Sequence, residues 1–145
     1  MNKHLSHLIE ISKTDIEIDS FEPRINHIKE ELNEVLEKKG EIERQQNTLK
    51  DEIRDCELNI QKNDLHLSEL SDKLEELNKK NKTIKTEKEM KALQLEEEIA
   101  KEQIAFANEE IERLNKVKAA KQEEVESHQD EIEGLKTEAA KIEAG

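Results

Sequence analysis

The chain has 145 residues, 32% hydrophobic and 42% charged, with 24 Lys+Arg against 37 Asp+Glu and a formal net charge of −13. Globular domains typically carry roughly 45–50% apolar and about 25% charged residues, and the only aromatics here are Phe21 and Phe106. So few bulky apolar groups, with three glycines and one proline, exclude a sandwich, a barrel or an α/β sheet; what remains is disorder or long helices that bury a narrow stripe.

Periodicity decides for helices. From Ile25, alternating steps of three and four reach Ile28, Leu32, Val35, Lys39, Ile42, Gln46, Leu49 and Ile53. They continue through Cys56, Ile60, Asn63, Leu67, Leu70, Leu74, Leu77, Asn81 and Ile84. Fourteen of these eighteen positions are apolar, which is the heptad signature of a coiled coil. Residues 1–22 keep the same phase, with an apolar stripe that includes Leu5, Leu8, Ile11, Ile18 and Phe21. Pro23 does not shift that phase and is expected to mark a kink or a helix start.

The first arm is expected to end at Asn81, in the lysine-rich stretch Asn78-Lys-Lys-Asn-Lys-Thr-Ile-Lys-Thr86. Thr86 followed by Glu89 fits a capping box that opens a second helix. The second seam runs Met90, Leu93, Glu97, Ala100, Ile104, Ala107, Ile111, Leu114, Lys118, Lys121, Val125, His128, Ile132, Leu135, Ala139 and Ile142, out of phase with the first. The expected fold is therefore all-α, a long antiparallel two-helix coiled-coil hairpin with its turn near residues 81–86. Residues 23–80 form the first arm and 87–145 the second, each arm about 80 Å long at 1.5 Å per residue.

Facing residue numbers that sum to 167 centre the turn near residues 83–84 and match most apolar layers. This register sets Leu77 against Met90, Leu74 against Leu93, Val35 against Ile132 and Leu32 against Leu135. It also brings Lys39 to His128 and Gln46 to Lys121, and leaves poor layers at Leu70–Glu97, Asn63–Ile104 and Leu49–Lys118. The partners of residues 1–22 would then fall beyond residue 145. Either the chain is a fragment whose continuation covers that stripe, the favoured expectation, or the segment folds back or pairs with another copy.

The run His4-Leu-Ser-His-Leu-Ile-Glu-Ile-Ser, the stretch Asp15-Ile-Glu-Ile-Asp-Ser-Phe-Glu-Pro23 and the post-turn segment Lys88-Glu-Met-Lys-Ala-Leu-Gln-Leu-Glu-Glu-Glu-Ile99 together resemble the coiled-coil part of the bacterial C4-type zinc-ribbon proteins. The flagellar-regulatory members of epsilon-proteobacteria are the most alike. Met90 stands where that group has a tyrosine in its Lys-Glu-Tyr-x-Ala-Leu-Gln motif, and the paired Cys-x-x-Cys ribbon is absent. The resemblance implies a non-enzymatic, chaperone-like adaptor that binds the nitrogen-type alternative sigma factor and supports flagellar or type III secretion gene expression. Flagellin-transcript binding is associated with the same group. The family's zinc site lies in the absent ribbon, so no cofactor is expected in this chain.

Apart from the resemblance, the turn is the most unusual surface. Lys79, Lys80, Lys82, Lys85, Lys88 and Lys91 stand against only Glu87 and Glu89, a local +4 in an acidic protein. Such a tip can contact RNA phosphate or an acidic protein, or it can simply complement the end of the first helix and keep the turn hydrated. It has the wrong sign to hold Mg²⁺, as the acidic tips of polymerase-inserting coiled-coil fingers do. A purely structural oligomerisation stalk is the third reading. His4 and His7 share a face without a third metal ligand, and His128 is either a pH-sensitive or a merely solvated layer. Lys118 and Lys121 fix register or extend to the seam's edge, Cys56 is a small seam residue, and Glu96-Glu-Glu98 is a solvated acidic face. Phe106, beside the seam, is either an exposed anchor for a partner or a position flanking the core, and is assigned the latter. No apolar run is long enough to span a membrane, and the chain reads as cytoplasmic.

Overall fold

A computed structural model describes the backbone of residues 2–144 and the side chains of residues 21–144. It is an all-α helical hairpin of two helices, α1 (Asn2–Asn81) and α2 (Glu87–Ala144). The expected stripe at Leu5, Leu8, Ile11 and Ile18, and the pair His4 and His7, lie outside the described residues; Phe21 is described and is exposed. Pro23 lies inside α1, which neither starts nor stops there.

The heptad reading predicts burial closely. From Ile28 to Leu77 every seam position of α1 is buried or half-buried, including Lys39, Gln46 and Asn63, and from Leu93 to Ile142 the same holds for α2. Of the expected seam, Ile25, Asn81 and Met90 are exposed. Outside the seam, charged and polar side chains face solvent, as a helix pair with one shared apolar stripe requires.

The molecule divides into two compact units. Asn47–Glu126 contains the turn and the adjoining parts of both arms, and the other unit combines Met1–Gln46 with Ser127–Gly145. In the turn-containing unit the buried residues step by sevens: Leu77, Leu70 and Cys56 on α1, and Leu93, Ala100, Ala107 and Leu114 on α2. The bonds that cross between the arms in this unit, Lys118–Glu57 and Lys121–Glu52, join residue numbers that sum to 175 and 173 rather than to the expected 167. Met90, which the expected register sets against Leu77, is exposed, while Leu70 and Ala100 are both buried. Each large apolar group so buried contributes roughly 1.5–3 kcal/mol.

The seam lysines also find partners other than those expected. Lys118 Nζ lies 3.3 Å from a Glu57 carboxylate oxygen, and Lys121 donates to Glu52. In an antiparallel pair the Cα–Cβ bonds of both arms tilt toward their own N-termini. Lysines on α2 therefore lean toward the turn while glutamates on α1 lean away from it, and they meet diagonally. In the other unit, Gln46 Nε2 donates to Gln129 Oε1 at 3.0 Å. Lys39 and His128 each approach a glutamate on their own helix, Glu43 at 3.5 Å and Glu131 at 3.9 Å.

Two consequences are measurable. An added Cβ meets no atom within 4 Å at Gly40 or at Gly134, and a mid-helix glycine costs about 0.5–1 kcal/mol relative to alanine. Gly40→Ala and Gly134→Ala should each raise the unfolding midpoint in urea by the equivalent of roughly that amount. Separately, the hydrogen bond that Lys121 donates to Glu52 raises the Lys121 pKa above its ordinary 10.5. A raised lysine pKa adds stability that is complete below 10.5 and lost as pH climbs through the folded-state value. The difference in thermal stability between the wild type and Lys121→Met should therefore be constant at neutral pH and shrink above pH 10.5.

Candidate interaction surfaces

Three features of the described surface can carry recognition: the lysine-rich turn, the ionic layers on the seam, and apolar side chains left in water. The turn forms because α1 stops at Asn81 and α2 starts at Glu87, as expected. Lys82 N donates to the Lys79 carbonyl at 3.3 Å and Thr83 N to the Lys80 carbonyl at 3.0 Å, while the Thr83 hydroxyl also donates to the Lys80 carbonyl. These bonds satisfy carbonyls that the helix end leaves free. At the start of α2, Glu89 N donates to Thr86 Oγ1 at 3.3 Å and Met90 N to the Thr86 carbonyl at 3.1 Å. Thr86 is thus the N-cap. The threonine half of the capping box is formed, and no described bond returns from the Glu89 carboxylate to the cap.

Lys79, Lys80, Lys82, Lys85, Lys88 and Lys91 are all exposed, and none takes part in a described ion pair. Lys79 and Lys80 sit in the last turn of α1, where the helix dipole favours positive charge. Lys88 and Lys91 do not share that explanation, because they stand near the start of α2, the end that favours anions. Only Glu87 and Glu89 suit that end.

The ionic layers are mostly paired. Besides the Lys118–Glu57 and Lys121–Glu52 bridges, Arg113 Nε donates to Glu110 Oε2 at 3.1 Å. That guanidinium holds the Glu110 carboxyl below its usual range. The exceptions are one carboxylate oxygen of the half-buried Glu97 and Nδ1 of His128, which are buried without a hydrogen bond.

Apolar exposure departs most from expectation. Phe106, assigned to the flank of the core, is instead 72% exposed. Ile99 and Leu95 are exposed on the same helix, and Leu58 and Leu65 on α1. A groove within the turn-containing unit is lined by Asn63 and His66 of α1 and by Ile99, Glu102, Gln103 and Phe106 of α2. The clue in the sequence was the spacing of Leu95, Ile99 and Phe106. Steps of four and seven stack side chains on one helix face, a face distinct from the one carrying Leu93, Ala100 and Ala107.

Among the described residues, no group of three or more His, Cys, Asp or Glu side chains can hold a metal ion, and no helix is long and apolar enough to cross a membrane. With Cys56 as its single thiol, the chain's own residues do not fit a four-cysteine zinc site.

No family model matches the chain, and no curated protein matches it. Among solved structures it is similar to the HP0958 protein of Helicobacter pylori, with 37% sequence identity and a TM-score of 0.75 over 98% of this chain. The chain spans 60% of the length of that solved protein.

Proposed function

We propose that the chain is a non-enzymatic, cytoplasmic coiled-coil adaptor with a chaperone-like role. By the resemblance of its landmarks, it binds the nitrogen-type alternative sigma factor and supports flagellar or type III secretion gene expression. The observation that supports an adaptor is the apolar surface left in water. Phe106, Leu95 and Ile99 leave 72%, 59% and 46% of their surface in water, and exposed apolar groups rimmed by charge are typical of protein-binding surfaces. The test is retention of the sigma factor by the immobilised protein. Co-elution at near-stoichiometric amounts is expected, and a wash-through equal to that from bare resin overturns the sigma-factor assignment.

A second reading rests on the tip. Six exposed lysines without described ion pairs, two of them at a helix start that disfavours them, suit a polyanion such as RNA. If RNA binds there, Lys82→Glu, Lys85→Glu and Lys88→Glu together should weaken binding at least tenfold and lower the slope of log affinity against log salt. Unchanged retention of a single-stranded transcript probe would end that reading.

A further inference from the structure

We propose that the groove at Phe106 docks a basic amphipathic helix of a partner protein. The proposal rests on the adaptor reading and names the chemistry of the partner. Leu95, Ile99 and Phe106 line one face of α2 over eleven residues, about 17 Å at 1.5 Å per residue, which matches three turns of an incoming helix. Their exposures of 59%, 46% and 72% leave an apolar strip that a partner can cover. The two helices make a groove rather than a flat face, since Asn63 and His66 supply its opposite wall. Helix-in-groove recognition needs this shape, with apolar anchors at helical spacing entering between two packed helices.

Charge chooses the occupant. Of the glutamates between Leu95 and Glu110, Glu97 lies on the seam and Glu110 pairs with Arg113, which leaves Glu96, Glu98, Glu102 and Glu109 exposed beside one lysine, Lys101. Glu102 lines the groove itself. An acidic rim around an apolar strip is complementary to a helix with lysines or arginines flanking its apolar face. The same rim opposes the other occupants. A second copy would bring glutamates against glutamates in a chain of net charge −13, and nucleic acid and anionic membrane are repelled alike. A small molecule is disfavoured because such sites enclose most of the ligand, whereas the central side chain here is largely in solvent.

The probe is a fluorescein-labelled 18-residue peptide of leucine and lysine, with leucines at i, i+3, i+4 and i+7, beside a leucine–glutamate peptide of the same pattern. Fluorescence anisotropy with the full chain should show saturable binding of the basic peptide and none of the acidic one. Phe106→Ser and Ile99→Ser should each weaken binding at least tenfold, and Leu58→Ser, exposed on the other arm and outside the groove, should not. Circular dichroism checks that each variant keeps its helicity. If Phe106→Ser fails to fold, Glu98→Lys with Glu102→Lys takes its place and should reverse the preference between the peptides. Equal affinity of the wild type and Phe106→Ser for the basic peptide would overturn the proposal, leaving only diffuse attraction to an acidic surface. So would a Phe106-dependent dimer in sedimentation, because the groove's occupant would then be a second copy. If the sigma factor is retained equally by the wild type and Phe106→Ser, the adaptor reading stands and this groove is not its docking site.

Discussion

The structure depends on how little apolar surface holds each arm to the other. Among the described residues ten apolar side chains are buried, Val35, Cys56, Leu70 and Leu77 on α1 and six on α2, and between them run half-buried positions that include lysine, glutamate, asparagine and histidine. A core so thin cannot choose its register by hydrophobic burial alone, because sliding one arm by a few residues costs only a few layers. Small residues and charges make the choice. Ala100 and Ala107 are buried almost completely, and a register that set larger groups at those layers would have to separate the helices.

The lysines on the second seam act in the same direction. Lys118 and Lys121 are half-buried, and each reaches a glutamate on the opposite arm. Paired charges of this kind add little net stability when partly solvated, but a lysine left on the seam without its glutamate would be costly. Their contribution is therefore discrimination between registers more than strength, the best-attested use of polar seam residues.

How much of this was legible in the sequence follows from the ranges of the interactions involved. Heptad spacing is local, so the seam, its burial and the turn between Asn81 and Glu87 could be read position by position. Thr86 as a cap needs only its neighbours three residues on, and it too was legible. Register is not local. It pairs residues tens of positions apart, and counting apolar matches ignores the tilt of side chains toward helix N-termini, which lets Lys121 reach Glu52. Phe106 was misassigned for a related reason. Large apolar residues are usually placed inward, but one position before Ala107 on a helix is a turn of 100°, enough to carry an aromatic ring from the seam into water.

The two unusual surfaces of the turn-containing unit differ in sign, and both lie on or beside α2. The sign changes between Lys91 and Glu96, five residues or about 8 Å along the helix, roughly one Debye length at physiological salt. Lys82 and Glu102 are far enough apart along the arm that each is screened from the other by mobile ions. A net charge of −13 therefore says little about what the tip attracts, since a ligand near the lysines feels their local excess rather than the glutamates farther along. The same screening confines the acidic rim's influence to the neighbourhood of Phe106. A narrow-cored helical hairpin has room for this separation because almost all of its side chains face water. The composition that excludes a compact core leaves long solvated faces on which patches of opposite charge can coexist without neutralising one another.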